Sequence, residues 1–232
     1  MSKIIEIQKA LAARGLKPGP LDGIWGRQTI SAIKIFQATV GLKADGILGP
    51  LTIKALLPDA KPSKGLDRTE LVWLKEAQRL LGTREQPGSG SNPEILDWAT
   101  DVNTMYKSDD IPWCGLFVGH CIGSTLPDEP LPSGLLRARS WSRFGIPTLP
   151  TPGAVMVFWR KSKQSDLGHV GFYAGEDDSA YRILGGNQSD KVSYTWVARD
   201  RFLSARWPAT VPPAAPEVVE IGRKENMSWD EA

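Results

Sequence analysis

Two cysteines and two histidines are the side chains of this 232-residue chain that are best suited to nucleophilic chemistry. Cys114 follows Trp113 at the start of an apolar run that predicts a helix over residues 111–122. Asp110 suits the N-cap of that helix, and Pro112 suits its first turn. A thiol in a first helical turn faces unpaired backbone N–H groups and the positive end of the helix dipole, which lower its pKa. We therefore predict that Cys114 is a nucleophile.

A cysteine nucleophile needs a base, and the two histidines differ in how well they could serve. His120 lies six residues after Cys114 on the same predicted helix, roughly 9 Å along its axis, which places it badly. His169 follows Gly168 at the start of a predicted strand, from which it could face a helix packed across a sheet. We predict that His169 takes the thiol proton and later protonates the leaving amine.

A third polar group usually fixes the tautomer of the catalytic imidazole. The strand that follows His169 ends in Gly-Gly-Asn-Gln-Ser-Asp, residues 185–190. Asn187 is our first choice for the third group and Asp190 our second. For the oxyanion we nominate the backbone N–H of Cys114, with help from a second, unassigned donor.

The remaining cysteine and the acidic residues do not form a recognisable metal or disulfide pattern. Cys121 lies seven residues after Cys114, roughly 10 Å along the predicted helix, so the two cannot form a disulfide. The chain has no C-x-x-C pair and no Cys/His cluster with zinc-ligand spacing. We expect no metal and no cofactor, although calcium on the acidic loop near Asp177 and Asp178 stays an open alternative without an EF-hand pattern.

The elements that must position these side chains form a domain of about 140 residues, the usual size of a single domain. Apolar periodicity predicts helices first and a run of short strands afterwards. The predicted helices lie over 71–81, 93–99 and 111–122, and the strands over 154–159, 169–174, 180–185, 191–197 and 202–207. This order predicts an α+β domain with helices packed on an antiparallel sheet.

The N-terminal part of the chain contains an internal repeat of a loop followed by a helix. The segment that begins Leu21-Asp22-Gly23-Ile24 returns 23 positions later as Ala44-Asp45-Gly46-Ile47. In each copy Asp-Gly supplies a turn, and an apolar helical pattern follows. An amphipathic stretch before the first copy predicts a further helix that ends at Gly15. The sequence therefore predicts three short helices around one small core.

Residues 3–57 resemble the three-helix peptidoglycan-binding domain found on many bacterial and phage cell-wall hydrolases. The resemblance rests on both Asp-Gly loops with their Gly and Thr, and on the Ala32-x-x-x-Phe36-Gln37 helix. It implies that this domain binds cell-wall glycan. The candidate contacts are Asp22, Trp25 and Asp45, of which Trp25 is our first choice because an apolar ring on a loop has less reason to be buried.

Residues 69–207 resemble the papain-like cell-wall amidohydrolases and peptidases of the NlpC and CHAP types. Five blocks carry the resemblance, in family order: Glu85-x-Pro87-Gly88, Asn92-Pro93-x-Ile95, Asp110-x-Pro112-Trp113-Cys114, Gly168-His169-Val170-Gly171 and Gly185-Gly186-Asn187-Gln188-Ser189. The resemblance implies Cys114 as nucleophile, His169 as base and Asn187 as third member. Trp113 and Gln188 would border the cleft or its oxyanion site. Many CHAP members have an acid where this chain has Gly185.

Composition sets the domain limits and the charge of each part. We predict a wall-binding domain over 1–57, a Pro/Lys/Ser/Gly linker over 58–68, a catalytic domain over 69–208 and a flexible Pro/acidic tail over 209–232. Residues 1–57 hold eight Lys and Arg against three acids, which predicts an anionic partner. There is no apolar signal segment and no run of roughly 18 apolar residues that a membrane span needs.

Together the two resemblances imply a modular peptidoglycan hydrolase that cleaves an amide of the stem peptide through a thioester. Its domain order resembles a bacteriophage endolysin, which stays in the host cytoplasm until lysis and then acts in the periplasm and on the wall. An antagonism effector or autolysin with the same chemistry, and a non-catalytic wall-binding virion protein, are the alternatives. The sequence favours neither amidase nor endopeptidase activity. We expect a monomer that binds peptidoglycan, without nucleic-acid binding or membrane insertion.

Overall fold

The computed structural model describes residues 3–22, 27–42, 44, 46, 50–58, 71–88, 90–212 and 218–221. The chain divides into two compact units, which are described separately below. One comprises Met1–Val72 with Ser124–Asp128, and the other comprises Trp73–Gly123 with Glu129–Ala232. Within the described residues, no helix has both the length and the apolar character needed to cross a membrane.

The N-terminal unit contains the three predicted short helices. They are α1 (Lys3–Ala13), α2 (Arg27–Thr39) and α3 (Pro50–Leu56). Their apolar faces meet in one small core, whose buried members include Ile7, Leu11, Ile33, Phe36 and Leu56. Such a small core is formed because residues three and four apart on each helix fall on the same face.

The internal repeat is maintained by two matching hydrogen bonds between buried side chains. Gln8 Nε2 donates to Thr29 Oγ1 at 3.3 Å, and Gln37 Nε2 donates to Thr52 Oγ1 at 3.1 Å. In the second copy Gln37 Oε1 also accepts from the backbone N–H of Gly46, at 2.8 Å. α1 and α2 thus each supply a glutamine that bonds to the threonine of the next helix, which explains why the threonine of the motif returns in both copies.

The larger unit begins with three helices: α4 (Val72–Arg79), α5 (Pro93–Asp101) and α6 (Cys114–Thr125). α5 starts where the sequence predicts, because Asn92 Oδ1 accepts from the Glu94 N–H at 2.9 Å and Pro93 occupies the first turn. α6 instead begins at Cys114, three residues later than the predicted start. The predicted N-cap, Asp110, therefore lies outside the helix.

A six-stranded antiparallel sheet follows the helices and confirms the predicted α+β class. Its strand order is β1-β6-β2-β3-β4-β5, so the last strand lies between the first two. The strands are β1 (Ile146–Pro147), β2 (Val155–Trp159), β3 (Gly168–Glu176), β4 (Ala180–Gly185), β5 (Ser193–Ala198) and β6 (Phe202–Trp207). The sequence pattern missed β1, which has only two residues and pairs with the end of β6.

Aromatic side chains fill the space between α6 and the sheet. Phe117 of α6 lies with its ring centroid 6.1 Å from that of Phe172 on β3, in an edge-to-face arrangement. Trp98 of α5 packs on the other side of Phe117, at 5.9 Å. All three rings are buried. This packing holds α6 against β3, the strand that carries His169.

Parts of the segment over 209–232, which was predicted to be a flexible tail, make contacts among the residues that the structure describes. Glu129 is buried, and its carboxylate accepts from the backbone N–H groups of Ala209 (2.9 Å) and Thr210 (2.8 Å). Residues 218–221 hydrogen-bond to the end of β3. Composition did not reveal these contacts, because they are made by backbone groups and by a carboxylate far away in sequence.

A buried ionic cluster joins the three helices of the larger unit. His120 Nδ1 lies 2.9 Å from Asp101 Oδ2, and Nε2 lies 3.1 Å from Glu76 Oε1. Because both partners are carboxylates, both ring nitrogens carry a proton. These carboxylates raise the pKa of His120 although its burial opposes this, and Glu76, which also binds Arg79, has its pKa lowered to about 2. His120 is thus structural and is not the base.

Replacing His120 by glutamine should lower the free energy of unfolding by about 3 kcal/mol near pH 6, since one carboxylate loses its cationic partner. The raised pKa of His120 makes its contribution complete below its unfolded value of 6.5, and the contribution is lost as the pH rises through the folded value. Denaturant unfolding across pH 5–9 measures this. The wild type should lose stability at high pH more steeply than His120→Gln, and parallel curves would contradict the assignment.

Candidate active site

Cys114 is the first residue of α6, and its side chain is buried. The N–H groups of Val170, Gly115 and Cys114 itself, together with the positive charge of Arg160, lower the pKa of the thiol. Burial acts in the opposite direction and outweighs them, so that the pKa of Cys114 is raised. The sequence predicted a lowered pKa from the helix terminus alone. A buried thiol of this kind needs a base to become a nucleophile.

His169, the predicted base, is completely buried on β3, next to the residue whose N–H faces the Cys114 thiol. Its Nε2 lies 2.9 Å from Gln188 Oε1. The orientation of the Gln188 amide is set because its nitrogen donates to the backbone oxygen of Ser193. Oε1 is therefore an acceptor, the imidazole proton lies on Nε2, and Nδ1 is the basic nitrogen of the ring.

The third group predicted from the sequence is not the one that contacts His169. Asn187 Oδ1 accepts from the backbone N–H of Trp113 at 3.0 Å, and its Nδ2 donates to Glu85 Oε1 at 2.9 Å. Asp190, the second choice, accepts from the Glu85 N–H through its backbone oxygen at 2.9 Å. Gln188 makes the contact with the imidazole. Gln188, which was predicted as an oxyanion or cleft group, is thus the residue whose side chain bonds to His169.

Trp113 was predicted to border the cleft, but its ring is completely buried. Its indole nitrogen donates to Glu85 Oε1 at 2.7 Å, and its ring centroid lies 5.7 Å from that of Trp98. Trp113 therefore has no exposed face on which a sugar or peptide could stack. Its contribution to the site is to hold the segment that leads into Cys114.

Two glycines let the β4–β5 turn approach both the imidazole and the helix. A Cβ on Gly185 would lie 3.0 Å from His169 Nε2 and 2.8 Å from Gln188 Oε1. A Cβ on Gly186 would lie 2.5 Å from the Trp113 ring. The acid that many CHAP members carry at the first of these positions has no room here, because His169 already contacts Gln188.

From the sequence, Glu85 could approach the site, but a helix-end or turn role was favoured for it. The Glu85 carboxylate accepts hydrogen bonds from Trp113 and Asn187. Trp113 directly precedes Cys114 in the sequence. Burial and the neighbouring carboxylates of Asp190 and Asp109 raise the pKa of Glu85. Its place next to a turn at residues 85–88 was visible in the sequence, but its long-range partners were not.

No group of three or more His, Cys, Asp or Glu side chains that could hold a metal ion occurs among the described residues. Asp177, on the loop considered for calcium, uses Oδ1 to accept from the N–H groups of Ser179 and Ala180, both at 2.8 Å. This carboxylate shapes the β3–β4 turn. The turn does not support the calcium alternative.

Of the three residues predicted to contact the cell wall, the structure describes one. Asp22 is exposed, and its Oδ1 accepts from Gln8 Nε2 at 3.2 Å. Trp25 and Asp45 lie outside the residues that the structure describes. Asp22 therefore has a structural contact within its own repeat, and the glycan contacts stay predictions.

Comparison with known proteins identifies the N-terminal unit. Residues 1–56 match the family model of a peptidoglycan binding domain, so this chain carries such a domain. A Bacillus licheniformis protein named "Probable N-acetylmuramoyl-L-alanine amidase" is 43% identical over 60 residues, which are 23% of this chain and 17% of that protein. An uncharacterized protein of Kitasatospora aureofaciens is 46% identical over 56 residues, 24% of this chain and 43% of that protein.

The chain thus spans less than half the length of these two relatives. No solved structure matches it. The family match ends at residue 56, well before the domain that contains Cys114. The chemistry of the larger unit has to be argued from its own residues.

Proposed function

We propose that this protein is a papain-like cysteine hydrolase of the NlpC/CHAP type that cleaves an amide bond in the stem peptide of peptidoglycan. One observation carries the proposal. The buried His169 imidazole, bonded to Gln188 through Nε2, lies on β3 beside Val170, and the Val170 N–H is one of the groups that act to lower the pKa of the Cys114 thiol at the start of α6. The wall-binding domain supplies the substrate class, because it binds the polymer whose peptides contain such amides.

In the proposed reaction His169 Nδ1 takes the proton of Cys114, and the sulfur attacks the carbonyl carbon of the scissile amide. The resulting oxyanion is stabilised by backbone N–H groups at the start of α6, including that of Cys114. The imidazolium then protonates the leaving amine as the C–N bond breaks, which leaves a thioester. Water, deprotonated by His169, attacks the thioester, and the acid product leaves as Cys114 regains its proton.

The N-terminal domain would hold the enzyme at its polymeric substrate and raise the local concentration of stem peptides. The excess of positive charge in residues 1–57 suits a polymer with carboxylate groups. We propose an endolysin-type role for this pairing of a wall-binding domain with a hydrolase. An effector or autolysin with the same chemistry is the alternative.

The direct test is dye release from purified, dye-labelled sacculi by wild type and by Cys114→Ala. The wild type should release dye and the variant should not. Cys121→Ala is a matched control, since Cys121 is a completely buried thiol on the same helix that takes no part in the proposed chemistry. Release by Cys114→Ala, or no release by a folded wild type that still binds sacculi, would contradict the proposal. The second result would favour a wall-binding protein without turnover.

Replacing Gln188 by leucine should lower kcat by about 10²-fold or more, because His169 loses the acceptor that fixes its tautomer. Gln188→Glu is the matched variant, since a carboxylate also accepts from Nε2–H, and it should keep more activity. Initial rates on a soluble stem-peptide fragment measure both. Equal rates for Gln188→Leu and wild type would show that Gln188 does not orient the base.

A further inference from the structure

Two donor groups from distant parts of the chain meet at one carboxylate oxygen of Glu85, and one of them belongs to Trp113, the residue before the nucleophile. Glu85 Oε1 accepts from the Trp113 indole N–H at 2.7 Å and from Asn187 Nδ2 at 2.9 Å. Asn187 Oδ1 in turn accepts from the Trp113 backbone N–H at 3.0 Å. We call these three residues the Glu85 bridge. The bridge binds both the indole N–H and the backbone N–H of Trp113.

The position of Glu85 is set by the backbone on both sides of the bridge. Its own N–H donates to the Asp190 carbonyl at 2.9 Å, and the Val192 N–H donates to the Thr83 carbonyl at 2.7 Å. The chain before Glu85 is therefore paired with the end of the turn that carries Asn187. On the other side the N–H of Gln86 donates to Asp109 Oδ2 at 3.0 Å. The loop that carries the Glu85 carboxylate is thus held by hydrogen bonds on both sides of this residue.

The bridge fixes the residue that precedes α6. Trp113 is the residue before the helix, and its carbonyl accepts the first helical bond, from the Phe117 N–H at 2.9 Å. Asn187 Oδ1 accepts from the Trp113 N–H and so fixes the backbone that leads into the helix. The N–H groups of Cys114 and Gly115 are the first two of the helix, which have no intrahelical acceptor, and both act to lower the pKa of the thiol. A helix that began at residue 111 would bond the Gly115 N–H internally.

We propose that Glu85 is a positioning residue for Cys114: through Asn187 it holds the Trp113 backbone so that the first N–H groups of α6 point at the sulfur. The catalytic role of Glu85 in this inference rests on the proposed function. Its effect on the Cys114 thiol does not depend on that function. Accepting two N–H bonds on one oxygen suits an ionised carboxylate. The bridge therefore helps to keep Glu85 charged against its burial and its acidic neighbours.

The test compares Glu85→Ala, Glu85→Gln and Asn187→Ala with wild type. The first readout is the pH dependence of Cys114 alkylation by iodoacetamide, with the labelled cysteine located by peptide mass mapping. Glu85→Ala and Asn187→Ala should each raise the apparent pKa of this alkylation by about one unit. Glu85→Gln keeps an acceptor oxygen for both N–H groups and should recover most of the wild-type profile.

The second readout is the separation of kcat from KM on a soluble stem-peptide fragment. Both alanine variants should lower kcat by about 10- to 100-fold with little change in KM, as is typical when an outer partner of a reactive group is removed. The double variant should be no worse than either single variant, because both break the same bridge. Asp97→Ala, which removes an exposed carboxylate on α5, is the control for loss of one negative charge.

Several results would overturn the proposal. A wild-type alkylation profile in folded Glu85→Ala would do so, as would the same shift in Asp97→Ala. A rise in KM alone would assign Glu85 to substrate binding. If Glu85→Ala does not fold, the alkylation profile of Asn187→Ala decides, since that variant keeps the bond between Glu85 and the Trp113 indole. Alkylation needs no turnover, so failure of the hydrolase proposal would not be mistaken for failure of this one.

Discussion

Replacing His169 by alanine should lower the rate of amide cleavage by about 10³-fold or more at neutral pH. The reason lies in the state of the thiol. Burial raises the pKa of Cys114, so at neutral pH the sulfur is protonated and needs a base at the moment of attack. His169, with its proton on Nε2 and its basic nitrogen at Nδ1, is the group that the structure provides for this transfer.

The measurement is the initial rate on a soluble stem-peptide fragment, together with the rate of Cys114 alkylation at pH 7. Both rates should fall in His169→Ala, and the double variant His169→Ala/Cys114→Ala should be no slower than the single variants, since the pair acts as a unit. Circular dichroism checks the fold. A folded His169→Ala enzyme that keeps more than about a tenth of the wild-type rate would exclude His169 as the base, because a general base contributes about 10²-fold or more.

Replacing Gly115 by alanine should have the largest effect of any single methyl group near the site. A Cβ at this position would lie 2.2 Å from the Leu135 carbonyl oxygen and 2.7 Å from that of Leu136. Both obstacles are backbone atoms, so α6 or the facing loop must move. We expect a loss of about 3 kcal/mol in the free energy of unfolding, at the upper end for overpacking.

The same displacement would move the N–H groups that face Cys114, so activity should fall by more than the lost stability explains. Thermal unfolding and kcat, measured below the unfolding transition, test the two effects. Gly119→Ala is the matched control one turn later on α6, where the nearest atom to a new Cβ is a flexible Leu135 side-chain carbon at 3.1 Å. Equal stability and activity in the two variants would contradict this account.

Residue types and spacing were enough to predict the main features of the larger unit. Alternating apolar runs predicted five strands, and the structure places strands at all of them because each run fills one or both faces of a buried sheet. The two-residue β1 carries no pattern of its own and exists because β6 offers it a partner. Likewise, the contacts of residues 218–221 are made by backbone groups, which composition does not encode.

The details of the candidate site could be predicted only in part. Cys114 and His169 stood out because a helix start and a strand start are readable locally. The choice between Asn187 and Gln188 depended on how the turn between β4 and β5 directs two adjacent amides. Asn187 has a positive φ of 56°, which turns its side chain to Trp113 and leaves Gln188 to meet the imidazole.

Glu85 illustrates a second limit of sequence reasoning. Its partners, Trp113 and Asn187, lie 28 and 102 residues away along the chain. No local periodicity links these positions. The predicted helix start at 111 followed the helix-capping rules, whereas α6 begins at Cys114, directly after the residue whose N–H donates to Asn187.

The most direct test of the central claim, that Cys114 hydrolyses an amide of the stem peptide, is mass spectrometry of the products released from purified sacculi. The wild type should release fragments with a new amine and a new carboxyl end at one peptide or lactyl-amide bond, with every glycosidic bond intact, and Cys114→Ala should release none. An amine freed from the lactyl group would identify an amidase, and one freed within the peptide an endopeptidase. Cleaved glycosidic bonds, or the same products from Cys114→Ala, would contradict the account.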